Sequence, residues 1–272
     1  MMQYLYLGRV EYGEALALQQ ELVELRHAGR IANTLLLLEH PPVLTLGRNA
    51  QRANILASDE VLARKGVSVH EINRGGDVTY HGPGQLVGYP IFDLRSLFNA
   101  RGARLGPVDY VRRVEEALIR LCAGYGVLTG RVAGRTGVWT QGTHERKIGA
   151  IGVHVSRGIT SHGFALNVTT DLRDFQWIVP CGIADREVTS LELEISDPAR
   201  LPMLEGVADA AARSFGQVFD EPVLAVESLK ALRAASSAVP DVERTGIPMR
   251  VPAEVERLID RAADPNGKPI QV

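Results

Sequence analysis

Apolar residues recur along this chain at two periods, and the switches between them mark out its elements. Over residues 12–28, Tyr12, Ala15, Leu16, Leu22, Val23 and Leu25 fall at helical spacing, with Gly29 as a stop. Thr34 to Glu39 is a short apolar run. Pro41 and Pro42 break it before Val43-Leu44-Thr45-Leu46-Gly47-Arg48, which predicts two strands separated by a proline turn. Val67 to Ile72 and Leu86 to Leu94 read as further strands on either side of a glycine-rich stretch. Val111, Val114, Leu118, Leu121 and Cys122 form the apolar face of a helix from Tyr110 to about Ala123, with Asp109 as its N-cap.

The section from Arg131 to Val168 is β-rich. Strands over residues 137–140, 147–155 and 160–168 are separated by turn-like Gly142-Thr143-His144-Glu145 and Ser156-Arg157-Gly158. Connections that short cannot make parallel crossovers, so these strands should be antiparallel neighbours. A helix from Met203 to Phe215 closes the main body. From Glu221 the composition shifts to Ala, Ser, Arg and Pro, with helical patterning near 223–235 and 252–263. The layout predicts an α+β fold of mixed, mostly antiparallel sheets with packed helices. It further predicts a main domain over 1–218 and an extension over 219–272.

Composition narrows the class. Of 272 residues, 45% are hydrophobic and 23% charged, which excludes a disordered or collagen-like chain. Cys122 and Cys181 form no disulfide framework and point to a reducing compartment. No window approaches the ~18 apolar residues of a membrane span, and Glu11, Glu14, Glu21 and Glu24 argue against a targeting peptide. The expectation is a soluble cytoplasmic protein. A net charge of −2 gives no reason to expect nucleic acid binding. Only four of 30 basic residues are lysines, Lys65, Lys147, Lys230 and Lys268. A lysine kept where arginine is the default is a candidate for losing its proton, which guanidinium cannot do.

The densest candidate chemistry is Arg74-Gly75-Gly76-Asp77-Val78-Thr79-Tyr80-His81-Gly82-Pro83-Gly84-Gln85. Glycines let backbone approach a ligand closely, and an arginine there can grip a carboxylate or phosphate. The plainer reading is a tight turn with a surface histidine. The stretch is neither a Walker A loop nor a dinucleotide fingerprint. Cys122, on a helical face, reads as a buried small hydrophobe. Cys181, between Pro180 and Gly182, is the better nucleophile candidate, against the alternative of an incidental loop thiol. Lys147 opens a strand rich in small residues, Ile148-Gly149-Ala150-Ile151-Gly152, and is either packed against a ligand or turned to water. His162 precedes a second such strand, Gly163-Phe164-Ala165-Leu166-Asn167. Neither the cysteines nor the histidines have metal-ligand spacing.

The stretch from Arg74 to Gln85 resembles the signature of the bacterial lipoyl (octanoyl) transferases, which move an octanoyl group from acyl carrier protein to a lysine of a lipoyl domain. The resemblance continues in His40-Pro-Pro-Val-Leu-Thr-Leu-Gly-Arg48, Lys147-Ile-Gly-Ala-Ile-Gly152, His162-Gly-Phe-Ala-Leu-Asn167 and Pro180-Cys-Gly182, and covers roughly residues 4–218. It implies the α+β fold of biotin and lipoate protein ligases, used without ATP, cofactor or metal. It implies Cys181 as the acyl-thioester nucleophile and Lys147 as its acid/base partner. Arg74 to His81, Ala150, Ile151 and Gly152, and Gly163, Phe164 and Ala165 would line the acyl pocket. Asp77 stands where the motif varies and receives no separate role. The implied partners are octanoyl-acyl carrier protein and the lipoyl domains of 2-oxoacid dehydrogenases and the glycine cleavage H protein, with no membrane or nucleic acid. Arg48, Arg52 and Arg74 are expected to form a basic patch that steers these acidic partners. Three rivals remain: an ATP-dependent ligase of the same fold, a non-catalytic acyl or carrier-binding module, and a cysteine hydrolase using His81 or His162 as base.

Overall fold

The computed structural model describes residues 1–99, 102–179, 187–201 and 203–235. Its centre is β2 (Asn33–Glu39), whose run Leu35 to Leu38 is fully buried on both faces. A strand covered on both sides reads as an unbroken apolar block instead of an alternating one. Leu36 and Leu38 face a cluster beneath α1 (Tyr12–His27), while Leu35 and Leu37 face the opposite side. That opposite side is covered by α3 (Pro107–Gly124) and α5 (Leu204–Phe219). Phe164 and Phe215 stack there with ring centroids 5.3 Å apart, a favoured aromatic spacing.

Around β2 an eight-stranded sheet is laid out in the order β11-β1-β2-β6-β10-β9-β8-β7. Its members are β1 (Met2–Arg9), β6 (Gln85–Ile91), β7 (Thr129–Val132), β8 (Arg135–Thr140), β9 (Lys147–Ser156), β10 (Ile159–Asn167) and β11 (Val223–Ala225). From β2 to β7 all neighbours are antiparallel, whereas β1 pairs parallel with both β2 and β11. A second sheet of three strands has the order β4-β3-β5: β4 (Ser68–Glu71), β3 (Val43–Leu46) and β5 (Val78–His81). The proline turn therefore carries the chain from one sheet to the other. Short α2 (Asp59–Arg64), N-capped by Ser58 Oγ, packs on the small sheet, and α4 (Leu191–Glu194) and α6 (Leu229–Ala235) complete the described elements.

Most expected elements are present, with three differences. The helix expected at Tyr110 starts at Pro107 with Gly106 as N-cap, so Asp109 lies in its first turn and is not the cap. Pro at the first helical position has the right φ and lacks only an N–H that would be unpaired anyway. Strands β1, β5, β7 and β11 and helices α2 and α4 were not expected; β11 takes the start of the helix expected near 223–235, and the helix expected near 252–263 lies outside the described residues. Finally, part of the stretch assigned to the extension packs on the main body: β11 pairs with β1, and Leu232 of α6 is fully buried among Leu5, Leu22 and Leu36. The first compact unit accordingly runs to Ala238. No helix among the described residues is long and apolar enough to cross a membrane.

We expect a chain ending at residue 238 to be more stable than one ending at residue 220. Burying one leucine contributes about 1.5–3 kcal/mol, and urea unfolding of the two truncates measures the difference. Equal midpoints would show that β11 and α6 contribute nothing.

Candidate active site

Strand register builds a trough between the two sheets. Ala165 of β10 pairs with Ala150 of β9 on one side and Val87 of β6 on the other, and Gly163 pairs with Gly152. Cross-strand partners share a face, so Ala150, Gly152, Gly163 and Ala165 make a floor almost without side chains. Opposite stand Thr79 and His81, alternate residues of β5 and therefore on one face of it. Tyr12 at the start of α1 and the loop Arg74 to Gly76 close the ends. The space between them, open mouth included, is about 490 Å³.

Arg74 is buried in this wall, 8% exposed. Its guanidinium donates to Thr45 Oγ1 from Nε (3.2 Å), to the Thr45 carbonyl from Nη2 (2.7 Å) and to the Gly75 carbonyl from Nη1 (2.9 Å). The side chain thus braces the loop against β3, and the Gly75 N–H donates to Val153 O (3.0 Å), tying the loop to β9. A Cβ on Gly152 would stand 2.8 Å from the Gly75 carbonyl, so only glycine lets this loop cross β9. Gripping an external anion is not what these bonds are set to do. The expected basic patch loses Arg74, which is buried; Arg48 and Arg52 are exposed, and Arg52 is paired with Asp59.

Three buried histidines sit around the cavity in defined tautomers. His40 Nδ1–H donates to Val10 O (2.6 Å), so Nε2 accepts from the Tyr89 hydroxyl (2.7 Å). His81 Nδ1–H donates to Gln85 Oε1 (2.7 Å), Gln85 Nε2 to Asn167 Oδ1 (2.9 Å), and Asn167 Nδ2 to Thr189 O (2.9 Å). Each amide is oriented by the next, which leaves His81 Nε2 as the acceptor nitrogen of the ring. His162, in the left-handed region at φ 54°, donates from Nε2 to Asn73 Oδ1 (2.7 Å). Burial first, then neighbouring cations and rings, pushes His81 down to about 3 and His40 and His162 to about 4. All three are held neutral near pH 7.

Lys147 begins β9 at the far end of the floor. A second cavity, about 320 Å³ with its open mouth included, is lined by Lys147, Gln85, Asn167 and Val188 among others and shares Thr79, Ala150 and Ala165 with the first. The Lys147 ammonium lies 5.3 Å from the centre of the Trp139 ring, within cation–π range. Room for its stem comes from Gly137, at φ +127°, where a Cβ would stand 2.8 Å from Lys147 Cε. The Lys147 N–H donates to Glu187 O, and its carbonyl accepts from the Thr189 N–H (both 2.9 Å). Cys181 lies outside the described residues. Cys122 is fully buried on α3, its thiol pushed up to about 12 by burial, as its helical face implies.

Of the expected pocket residues, Arg74, Gly75, Gly76, Thr79, His81, Ala150, Ile151, Gly152, Gly163, Phe164 and Ala165 line the cavity. Asp77, Val78 and Tyr80 do not. Val78 and Tyr80 occupy the other face of β5, within the core of the small sheet, and Asp77 accepts from the Gln51 and Val78 N–H groups. Tyr12, Val87, Tyr89 and His162 complete the lining. Val87 and Tyr89 carry no motif, and only the pairing register brings them in. Among the described residues no group of histidine, cysteine and carboxylate is arranged to hold a metal ion.

The model of the lipoyl protein ligase A/B catalytic domain matches residues 11–216. An octanoyltransferase of Acidobacterium capsulatum is 68% identical over 84% of this chain and 94% of its own length. One from Koribacter versatilis is 54% identical over 95% and 97%. This chain belongs to the octanoyltransferase family. It is an acyltransferase of protein lipoylation. In architecture it is similar to a lipoate protein ligase of Thermoplasma acidophilum with bound lipoic acid, at TM-score 0.64 and 15% identity over 86% of this chain and 92% of that one. A lipoate-protein ligase A bound with ATP gives TM-score 0.63 at 15% identity over 87% and 93%. The lipoate ligase fold expected of an octanoyltransferase is thereby established.

The neutral histidines make stability depend on pH. Their folded pKa values lie below the ordinary value of 6.5, so the unfolded chain takes up their protons first as pH falls. Stability from this source is complete above about pH 6.5 and declines toward pH 4, by up to about 1.4 kcal/mol per pH unit for each histidine. Urea midpoints at pH 7, 6 and 5 test this, and His162→Gln should flatten the slope. A second expectation concerns the floor: Ala150→Leu fills the trough and weakens octanoate binding at least ten-fold by calorimetry.

Proposed function

We propose that this enzyme takes an octanoyl group from octanoyl-acyl carrier protein and delivers it to a lysine of a lipoyl domain through a thioester on Cys181. The observation that carries the reading is the apolar trough floored by Ala150, Gly152, Gly163 and Ala165, sharing Thr79, Ala150 and Ala165 with the cavity that Lys147 lines. An eight-carbon chain has about seven CH₂/CH₃ groups, each contributing about 0.8 kcal/mol when buried, so a trough of this kind supplies binding and length selection together.

In the first step the Cys181 thiolate attacks the octanoyl carbonyl. The Cys181 S–C bond forms, the carrier S–C bond breaks, and the carrier sulfur leaves as a thiol with a proton from Lys147. In the second step the acceptor amine attacks the new thioester, its N–C bond forms, and its proton passes by way of Lys147 to the departing Cys181 sulfur. Exchange between thioesters is nearly isoenergetic and needs no nucleotide, and the covalent intermediate divides one transfer into two accessible ones. The carrier and the lipoyl domain take turns at the same mouth. The catalytic body is proposed to lie within residues 1–238, with 239–272 outside the chemistry.

Mixing the protein with octanoyl-carrier protein, without ATP, should leave one octanoyl adduct on Cys181 and none on Cys122 by intact-protein and peptide mass spectrometry. Product formed without an adduct would refute the acyl-enzyme. Lys147→Arg should fold normally yet lose 10²–10⁴-fold in acylation, the usual worth of proton transfer, because guanidinium keeps its proton. A variant with half the parent turnover would reduce Lys147 to a positive charge near the site.

A further inference from the structure

Asp77 and Tyr80 belong to the glycine-rich motif but turn away from the trough, and what they touch is specific. Asp77 accepts from the Asn54 amide as well as from the Gln51 and Val78 N–H groups, which fixes the loop at residues 51–54. The Asn54 carbonyl in turn accepts from the Val179 N–H at 2.8 Å. Beside it, Ile55 bridges antiparallel to Ile178, and the Leu56 N–H donates to Trp177 O at 2.8 Å. Three residues along β5, the Tyr80 hydroxyl donates to Asp174 at 2.6 Å. The buried Tyr80 ring meets Phe175 and Trp177 edge-on, at 5.5 and 5.7 Å between centroids. Two arms, Asp77 just before β5 and Tyr80 within it, therefore converge on residues 174–179, and Val179 stands two positions before Cys181.

We infer that Asp77 and Tyr80 are positioning residues for the nucleophile: one face of the motif walls the acyl trough while the other latches the segment that leads to Cys181. This rests on the reading of Cys181 as the acylated thiol. The alternation of β5 makes the coupling rigid, because Thr79 and His81 cannot shift against the trough without moving Tyr80 against Asp174. Aligning a thiol and a carbonyl to within a fraction of an ångström is worth large factors in rate, so a latch that fixes the approach of the thiol acts on the acylation rate and leaves binding of the acyl chain alone.

The test combines Asn54→Ala with Tyr80→Phe, which removes one bond from each arm and keeps the aromatic ring. Single-turnover acylation of Cys181 should fall at least ten-fold, with the Kd for octanoate within two-fold of the parent. Should that double variant fail to fold, Asp174→Ala and Asp174→Asn replace it: the alanine slows acylation, and the asparagine, which keeps an oxygen for the Tyr80 hydroxyl, restores it. Acylation within two-fold of the parent, octanoate affinity lost in parallel with rate, or failure of asparagine to rescue would each overturn the latch. If the parent itself takes no octanoyl on Cys181, the nucleophile assignment falls and the latch with it. Normal acylation in parent and variants alike removes the latch only.

Discussion

Two facing sheets normally fill the space between them with side chains from both inner faces, at about 10 Å separation. Here one of the faces contributes little beyond Val87 and Tyr89. Ala150, Gly152, Gly163 and Ala165 pair across β9 and β10, and the small sheet opposite presents only Thr79 and His81. Everything else around the site follows from keeping that space open. The small sheet must be held off the large one by something stiff, and its anchors must lie outside the gap. Arg74 is the spacer, bonded to Thr45 on one side of the seam and to its own loop on the other.

An open cavity among buried polar groups is costly unless each group has a partner. The chain meets this with long relays in place of isolated pairs. His81, Gln85, Asn167 and Thr189 form one line in which each amide sets the orientation of the next. That line ends on the residue whose N–H binds the Lys147 carbonyl. The orientation of an imidazole in the trough and the placement of the backbone under Lys147 are thus parts of one hydrogen-bonded structure. Glu115 does similar work on the outer side, fully buried on α3, where it accepts from Arg112, Arg131 and the Gly137 N–H. Gly137 is the residue whose missing side chain admits the lysine.

Much of this was legible in the sequence, for identifiable reasons. The helix from Tyr12 declares itself by period, the central strand from Thr34 by an unbroken apolar run, and the strands from Lys147 to Asn167 by short polar turns between them. The small residues beside Lys147 and His162 marked the floor before any register was known. What stayed hidden depends on partners far along the chain. Val87 and Tyr89 look like ordinary strand residues until β6 is paired with β10. Val78 and Tyr80 share a motif with Thr79 and His81, and a motif read as a string cannot show that alternate members face opposite ways. Arg74 was legible as important but not as buried, since its partner Thr45 is remote in sequence. The extension was read as separate because its composition shifts, although β11 and α6 are bound to the main body by pairing and by Leu232.

The three residues of β11 have a bearing on how the molecule is made. β1 is synthesised well before β11 and, in the finished molecule, is an inner strand flanked by β2 and β11. This second neighbour is complete only at residue 225. At roughly 5–20 residues per second, the outer edge of β1 waits roughly ten to forty seconds with its backbone unpaired, an invitation to foreign strands. Its exposure in the nascent chain is set by the position of β11 in the gene, so a strand too short to add much area to the sheet governs how long the newborn protein stays sticky.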